Sequence, residues 1–365
     1  MSGAIKDINH LLHDLRSAHL RRMPKAHVML SAGCAGTWYF DWIANQTKHT
    51  GRHIGIEAYS PKPSDLPSNV EWIANTVGKM DAIENGACDL VFSGENIEHL
   101  WPEEVIGFFL ESNRVLAPSG WLIVDSPNRL MTSMLGWSHP EHTVELTPTE
   151  AANLASLSGF EVVKTVGIWL CQDPDTGRQL NFDPLSPDSQ WSLPERVLAA
   201  EHHPDQSFIW WMEARKIGEP QPDGLKKLMS QIFDEAWPER SRRFVSAVGT
   251  KSEVNGNKIV RCVPSESGPM VYGPYMPLKK GKHRAEFHVV AEGPNRHSAP
   301  VVRCDVVGAG GREIVVQLPT INDLKQRDGL VGLDFALPDL EFGIQARCFA
   351  LGGAAVEILI PPLLV

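Results

Sequence analysis

The spacing of apolar positions changes twice along this chain. Residues 4–22 (AIKDINHLLHDLRSAHLRR) set Ile8, Leu11, Leu12, Leu15 and Leu20 near one helical face, with basic residues at the C-terminal end where the helix dipole favours them. Short, uniformly apolar runs then alternate with helix-like stretches. Strands are predicted at about 26–32, 52–58, 69–75, 88–93 and 120–126, and the strongest helix at 102–116. Apolar strands separated by helices belong in a parallel sheet covered on both faces. Thr147 with Glu150 forms a capping box that opens a helix ending near Gly159, and a sixth strand is expected at 160–171. SFIWWMEARK (207–216) reads as a last, antiparallel strand. The intervening 172–206 is polar and proline-rich apart from a short helix near 194–200. A connection that long inside a compact domain is either a lid or acceptor-binding loop, or a structural extension.

Beyond a helix expected over 223–248, the period becomes two. Eight short runs begin near Asn257, Pro269, Lys282, Ala299, Arg312, Gly329, Glu341 and Ala354, separated by Gly, Pro or Asn turns. The 11 tryptophans all lie between Trp38 and Trp237, so composition also changes there. The expected fold class is therefore α/β, a doubly wound, mostly parallel seven-stranded sheet, joined to a C-terminal all-β sandwich of jelly-roll type. The expected boundaries are a helical cap at 1–23, the α/β domain at 24–217 with an insertion at 172–206, a helical linker at 218–249 and the β domain at 250–365.

Candidate chemistry concentrates in HVMLSAGCAGTWYF (27–40), where a strand breaks into small residues before a helix starts. Small residues let backbone approach a ligand, and unpaired amides at a helix N-terminus can hold a polar or anionic group. One strand later Glu57 ends HIGIEA, close to the roughly 20-residue spacing at which nucleotide folds place an acid on ribose hydroxyls. An ordinary strand-helix turn and a solvated glutamate would look the same.

The next motifs are NVEWIAN, then CDLVFS followed by EHL, then WLIVDSPN, in strand-loop-helix-strand order. With the glycine turn they resemble the class I S-adenosylmethionine-dependent methyltransferases over roughly residues 24–217. The resemblance implies that Gly33, Cys34, Ala35 and Gly36 pass under the methionine part of S-adenosyl-L-methionine and that Glu57 holds its ribose. It implies further that Gly78 to Asp81, including Met80, run along the adenine, and that Ser93 to Glu95 line the sulfonium side. Ser31 stands where the family usually has an acid, Ala35 where it has a second glycine and Thr37 where it often has a third.

Methyl transfer is an in-line displacement, so the protein must align the reactants, exclude water and, for a hydroxyl acceptor, take a proton. Candidate bases are His142, in SHPEHTVELT, and then His99 beside Glu98; both also have plain solvated or packing roles open to them. Asp125 and Asn128 are the only clustered metal-ligand types at the fifth strand end, and no metal is expected. Trp101, Trp137, Trp210 and Trp211 are candidates either for the acceptor cleft or for the core.

A net charge of −10 argues against nucleic acid as a partner. The basic run LKKGKHR (278–284) surrounds a glycine between strand-like segments and reads as a hairpin turn. Six scattered cysteines without C-x-x-C spacing suit reduced thiols, and no run approaches 18 apolar residues, so a cytoplasmic protein without membrane insertion is expected. VYGPYMPLKKGKHRAEF resembles β-sandwich appendages, similar to carbohydrate-binding modules, of bacterial surface-polysaccharide enzymes, which implies a module that engages glycan or a partner. Tyr272 and Tyr275 flank Gly273-Pro274 as candidates for a sugar platform, and a purely structural sandwich is the alternative. The expected activity is O-methylation of a saccharide or glycolipid precursor in polysaccharide biosynthesis. The alternatives are a small phenolic or polyketide acceptor, or a catalytically weak glycan-binding scaffold.

Overall fold

The computed structural model describes residues 6–49, 51–186, 188, 190–254, 256–293 and 299–365. The chain divides into two compact units, Met1–Trp137 with Val144–Asp234, and Ser138–Thr143 with Glu235–Val365.

The first unit runs α1 (Ile8–Leu20), β1 (Val28–Ala32), α2 (Thr37–Thr47), β2 (Arg52–Glu57), β3 (Val70–Ala74), β4 (Cys88–Gly94), α3 (Pro102–Val115), β5 (Leu116–Pro127), α4 (Arg129–Leu135), α5 (Pro148–Leu157), β6 (Phe160–Leu170), α6 (Leu193–Ala200), β7 (Ser207–Lys216) and the start of α7 (Pro222–Arg240). Its strands form one sheet in the order β3-β2-β1-β4-β5-β7-β6. The pairs from β3 to β5 are parallel, while β7 is antiparallel to both its neighbours. The sheet is therefore mixed, with β7 as its one reversed strand. Strand order reverses between β1 and β4, and ligands in such sheets bind beyond the carboxyl ends of the strands at that switch point. The loops after β1, β2, β4 and β5 all leave that edge.

Local sequence explains the elements. The apolar β1, β2 and β4 are buried along most of their length, as strands covered on both faces must be. α5 opens with the expected box, in which Thr147 Oγ1 accepts from the Glu150 amide while Glu150 accepts from the Thr147 amide. The described residues of the connection 171–206 are held to one another and to the strands by side-chain contacts. Arg196 on α6 donates to the carbonyls of Leu170 and Asn181 with its guanidinium 3.7 Å from the Trp169 ring centroid, and Trp191 Nε1 donates to Asp173. Asn128, just past β5, donates to the carbonyls of Pro204, Asp205 and Ser207 and so ties the extension to the strand edge.

α7 stops at Arg240, short of the expected 248: Pro238 lies in its last turn, and Val245 instead pairs with Tyr272. The second unit continues with β8 (Thr250–Val254), β9 (Asn257–Cys262), β10 (Gly268–Leu278), β11 (Gly281–Glu292), β12 (Val302–Val307), β13 (Glu313–Gln317), α8 (Ile321–Gln326), β14 (Leu330–Leu337), β15 (Glu341–Ala350), β16 (Ala355–Ile360) and β17 (Leu363–Leu364). Each run read from the sequence coincides with a strand, and β8 and β17 are additional. One sheet has the order β10-β15-β12-β13 and the other β14-β11-β16-β9-β8, with β17 beside β11. Inward residues of both, including Met276, Phe287, Val306, Leu333 and Ile358, share one core. Cys304 and Cys348 lie side by side in it as thiols, Sγ to Sγ 3.6 Å.

Residues 138–143 count with this second unit because Arg240 gathers them. Its guanidinium donates to the carbonyls of His139, His142 and Pro274 at 2.9, 3.3 and 2.9 Å, and also to that of Tyr275. Tyr272 and Tyr275 cross at 82° with ring centroids 6.4 Å apart.

Candidate functional site at the strand edge

Gly33 follows β1 with φ +76°, donates its amide to the Ile56 carbonyl at 3.0 Å, and has no room for a side chain. A Cβ there would stand 2.1 Å from Asn96 Oδ1, so the loop after β1 and the loop after β4 meet over this glycine. Cys34 is buried, with Sγ 3.6 Å from the Ile56 carbonyl, and burial pushes its thiol pKa up; it packs and is no nucleophile at neutral pH. Ala35 is exposed, and Gly36, at φ +84°, is the N-cap of α2 with no side chain capping that turn. Ser31 on β1 hydrogen-bonds the His53 Nε2 at 2.8 Å in the interior, and burial drives the His53 pKa down to about 3. This end of β1 therefore carries no charge.

Glu57 stands at the end of β2. One carboxylate oxygen accepts the amides of Tyr59 and Ser60 at 2.7 and 2.9 Å, which fixes the side chain and leaves its other oxygen without a partner among the described residues. Gly78 packs its backbone against α3, and Met80 is buried with its amide held by Glu111 and its carbonyl by Arg114.

A charge cluster joins α1 to the ends of β4 and β5. Asp125 is fully buried and accepts three hydrogen bonds: Arg16 Nε at 2.9 Å, Arg16 Nη2 at 3.0 Å and the Glu95 amide at 2.8 Å. Arg16 Nη1 reaches Glu95 Oε2 at 3.0 Å, and its guanidinium lies 5.1 Å from the Trp42 ring centroid. Burial raises the Asp125 pKa to about 6 against the pull of Arg16. Burial opposes the Arg16 charge too, but Asp125 and Glu95 more than compensate, and the guanidinium stays protonated. Glu95 takes φ +47°, an uncommon conformation for a non-glycine residue, which turns its amide onto Asp125. Ser93 is buried and accepts from Asn96 Nδ2 at 3.3 Å. Glu98 is fully buried; burial first, and then the Glu95 charge, hold its pKa well above the usual carboxylate range.

Of the residues expected to carry function, the structure brings Gly33, Gly36, Glu57, Ser93 and Glu95 to one strand edge, with His99 half-buried on the 97–99 turn after β4. His142 belongs to the second unit, its ring 4.5 Å from that of His139. Trp210 and Trp211 are fully buried core residues rather than cleft walls. Sequence reading missed Arg16, which sits four residues after Leu12 within the apolar stripe of α1. A lone cation on a buried helical face was the available signal.

Residues 30–124, from β1 through β5, match the family model described as Methyltransferase domain. A protein of Mycolicibacterium smegmatis described as a probable S-adenosylmethionine-dependent methyltransferase is 30% identical over 145 residues, which cover 39% of this chain and 54% of that relative. The chain thus spans about half the length of the curated relative it matches. Among solved structures, a S-adenosylmethionine-dependent methyltransferase from Archaeoglobus fulgidus aligns at 16% identity with a TM-score of 0.40, over 56% of this chain and 94% of its own. The 1,6-didemethyltoxoflavin-N1-methyltransferase of Burkholderia thailandensis, solved with S-adenosylhomocysteine, aligns at 14% and 0.37, over 57% and 79%. The first unit thus carries a doubly wound, mixed seven-stranded sheet of which residues 30–124 match a methyltransferase domain. Among the described residues, no helix is long and apolar enough to cross a membrane.

Proposed function

We propose that this chain is a cytoplasmic S-adenosylmethionine-dependent methyltransferase acting on a saccharide or glycolipid precursor of a surface polysaccharide. The observation that carries the enzymatic part is the family match across β1 to β5, on a sheet whose switch-point edge gathers Gly33, Gly36 and Glu57. These residues fit such a cofactor. A side-chain-free turn at Gly33, an uncapped helix start at Gly36 and a fixed carboxylate with one uncommitted oxygen at Glu57 are what a nucleoside with a polar tail requires.

When bound, S-adenosyl-L-methionine supplies an electrophilic methyl group. The chain's own work is then to hold, to exclude water and to move a proton. Glu57 takes the ribose hydroxyls, the loop 33–36 lies under the methionyl chain, and Ser93 with Glu95 borders the sulfonium. His99, on the same edge, is the base candidate that this unit itself carries for a hydroxyl acceptor. The saccharide reading is supported by the likeness of the C-terminal β unit to glycan-engaging appendages.

Calorimetry of the full chain with S-adenosylhomocysteine tests the cofactor part. Micromolar binding is expected, weakened about tenfold or more in Glu57→Ala through loss of charge-assisted hydrogen bonds; no heat at millimolar ligand sinks the enzymatic reading. Incubation with radiolabelled methyl donor and a fractionated cell extract tests the acceptor. Label should enter the saccharide or glycolipid fraction, and label confined to phenolic metabolites overturns that assignment.

A further inference from the structure

The end of β1 offers no charge, because Ser31 and a neutral His53 satisfy each other there. Charge at this edge sits instead on Arg16, Asp125 and Glu95. The pattern of spent and unspent donors matters. A guanidinium has five N–H groups. Arg16 commits Nε and one Nη2 hydrogen to Asp125 and one Nη1 hydrogen to Glu95, so one N–H on each Nη takes no partner among the described residues. Nη2 lies 2.7 Å from where a Cβ on Gly94 would stand, so the glycine at the end of β4 is what lets the cation reach over that strand. Beside it, the Glu95 side chain is 38% exposed and uses only Oε2 on Arg16; Oε1 takes no partner among the described residues. A cation with two spare donors and a carboxylate with a spare oxygen thus stand next to each other at the strand edge, while Asp125 locks the cation in place from behind.

Paired donors beside an acceptor of opposite charge are the complement of an α-amino-acid zwitterion. We infer that Arg16 and Glu95 form a clamp for the amino-acid end of the cofactor, Arg16 taking its carboxylate and Glu95 its ammonium. This rests on the methyltransferase reading and assigns α1 a role in binding besides packing on the sheet. Asp125 is a positioning residue: it touches Arg16 and the Glu95 amide, and so orients both arms of the clamp.

Two probes separate the clamp from the nucleoside site. S-adenosylhomocysteine carries the amino-acid end, and 5′-methylthioadenosine lacks it. In calorimetry of the full chain, the wild type should bind the first more tightly. Arg16→Gln should lose about tenfold or more in affinity for S-adenosylhomocysteine, the scale of a charge-assisted hydrogen bond, and nothing for methylthioadenosine. Glu95→Gln should lose less, in the same selective sense. Equal losses for both probes, or none, overturn the clamp and leave Arg16 a structural cation. Should Arg16→Gln fail to fold by circular dichroism, the partly exposed Glu95→Gln decides alone: an unchanged ratio of the two affinities overturns the proposal. Absence of binding of either probe to the wild type sinks the methyltransferase reading itself, whereas equal wild-type affinity for both sinks only the clamp.

Discussion

Among the described residues, each unit holds one fully buried aspartate between charged partners, and the two clusters are built in opposite senses. In the first unit Asp125 shares a single arginine with Glu95, and that arginine is itself buried, its side chain 9% exposed. In the second, Asp305 on β12 serves two arginines, Arg303 at 2.8 Å and Arg347 at 2.7 Å, whose side chains are 38% and 23% exposed and which flank Phe349. The second cluster lies on a sheet face where water hydrates the cations, so it works as ordinary surface stitching between neighbouring strands. The first is withdrawn from water at a strand edge, where burying charge is costly unless every partner is present. A fold needs few such clusters for stability. That the desolvated one lies at the switch-point edge, with donors left over, points to binding as its reason.

The largest expected effect tests that contrast directly. Asp125→Asn leaves Arg16 buried with half its counter-charge and should destabilise the first unit by about 3–5 kcal/mol. All tryptophans except Trp237 lie in the first unit, so intrinsic fluorescence during urea unfolding follows that unit, and circular dichroism also follows the second. An early fluorescence transition with an unchanged later one is the expected result. Unchanged fluorescence would mean that the cluster is not desolvated in solution.

Next in size is an acid effect at β1 and β2. His53 is buried with its pKa lowered to about 3, against an ordinary 6.5. Between those values the unfolded chain takes up a proton that the folded one refuses, so stability is intact above pH 6.5 and falls as pH drops toward 3. At pH 4.5 the loss is about 2.5 kcal/mol. Asp125 acts in the opposite sense: its pKa is raised to about 6, so the folded state gains a proton as pH falls and recovers some stability. The comparison is therefore between wild type and His53→Asn, which keeps a partner for Ser31. The variant should lose less stability between pH 7 and 4.5, and an equal loss would show that His53 titrates normally.

Asp305→Asn comes third. Its arginines can turn to water, so the cost should be about 1–2 kcal/mol, in the second unit only. A cost matching that of Asp125→Asn would erase the distinction between the clusters.

The sequence made the frame of both units legible and left the clusters hidden, for a physical reason. Apolar runs such as Met29 to Ala32 or Leu90 to Phe92 are local signals, and so is the period-two pattern behind β11 and β14. The place of Glu57 at the end of β2 is a local signal too, because it closes such a run one strand after a glycine turn. The Arg16 to Asp125 pair spans 109 positions, and no local pattern links them. Likewise the positive φ of Glu95 comes from Asp125 on the neighbouring strand, and residues 138–143 join the second unit through an arginine 98 and 101 positions further on. Helix termini are local again, which makes them the natural control.

Both units use the same capping device. Thr147 and Glu150 open α5 in the first, and Thr320 and Asp323 open α8 in the second, each threonine oxygen accepting an amide at 3.2 Å while the acid three residues on accepts the cap amide at 2.8 Å. The distances match because the motif is set by four consecutive residues and owes little to surroundings. Thr147→Ala and Thr320→Ala should therefore each cost about 1 kcal/mol, the smallest effect here, and the cost should be the same in either unit. Urea unfolding of the two variants, with fluorescence for the first and circular dichroism for the second, measures both. If Thr147→Ala costs well over twice as much as Thr320→Ala, then the first unit transmits local damage further than the second. Asp125→Asn would then owe part of its effect to a generally brittle unit rather than to a stranded buried arginine.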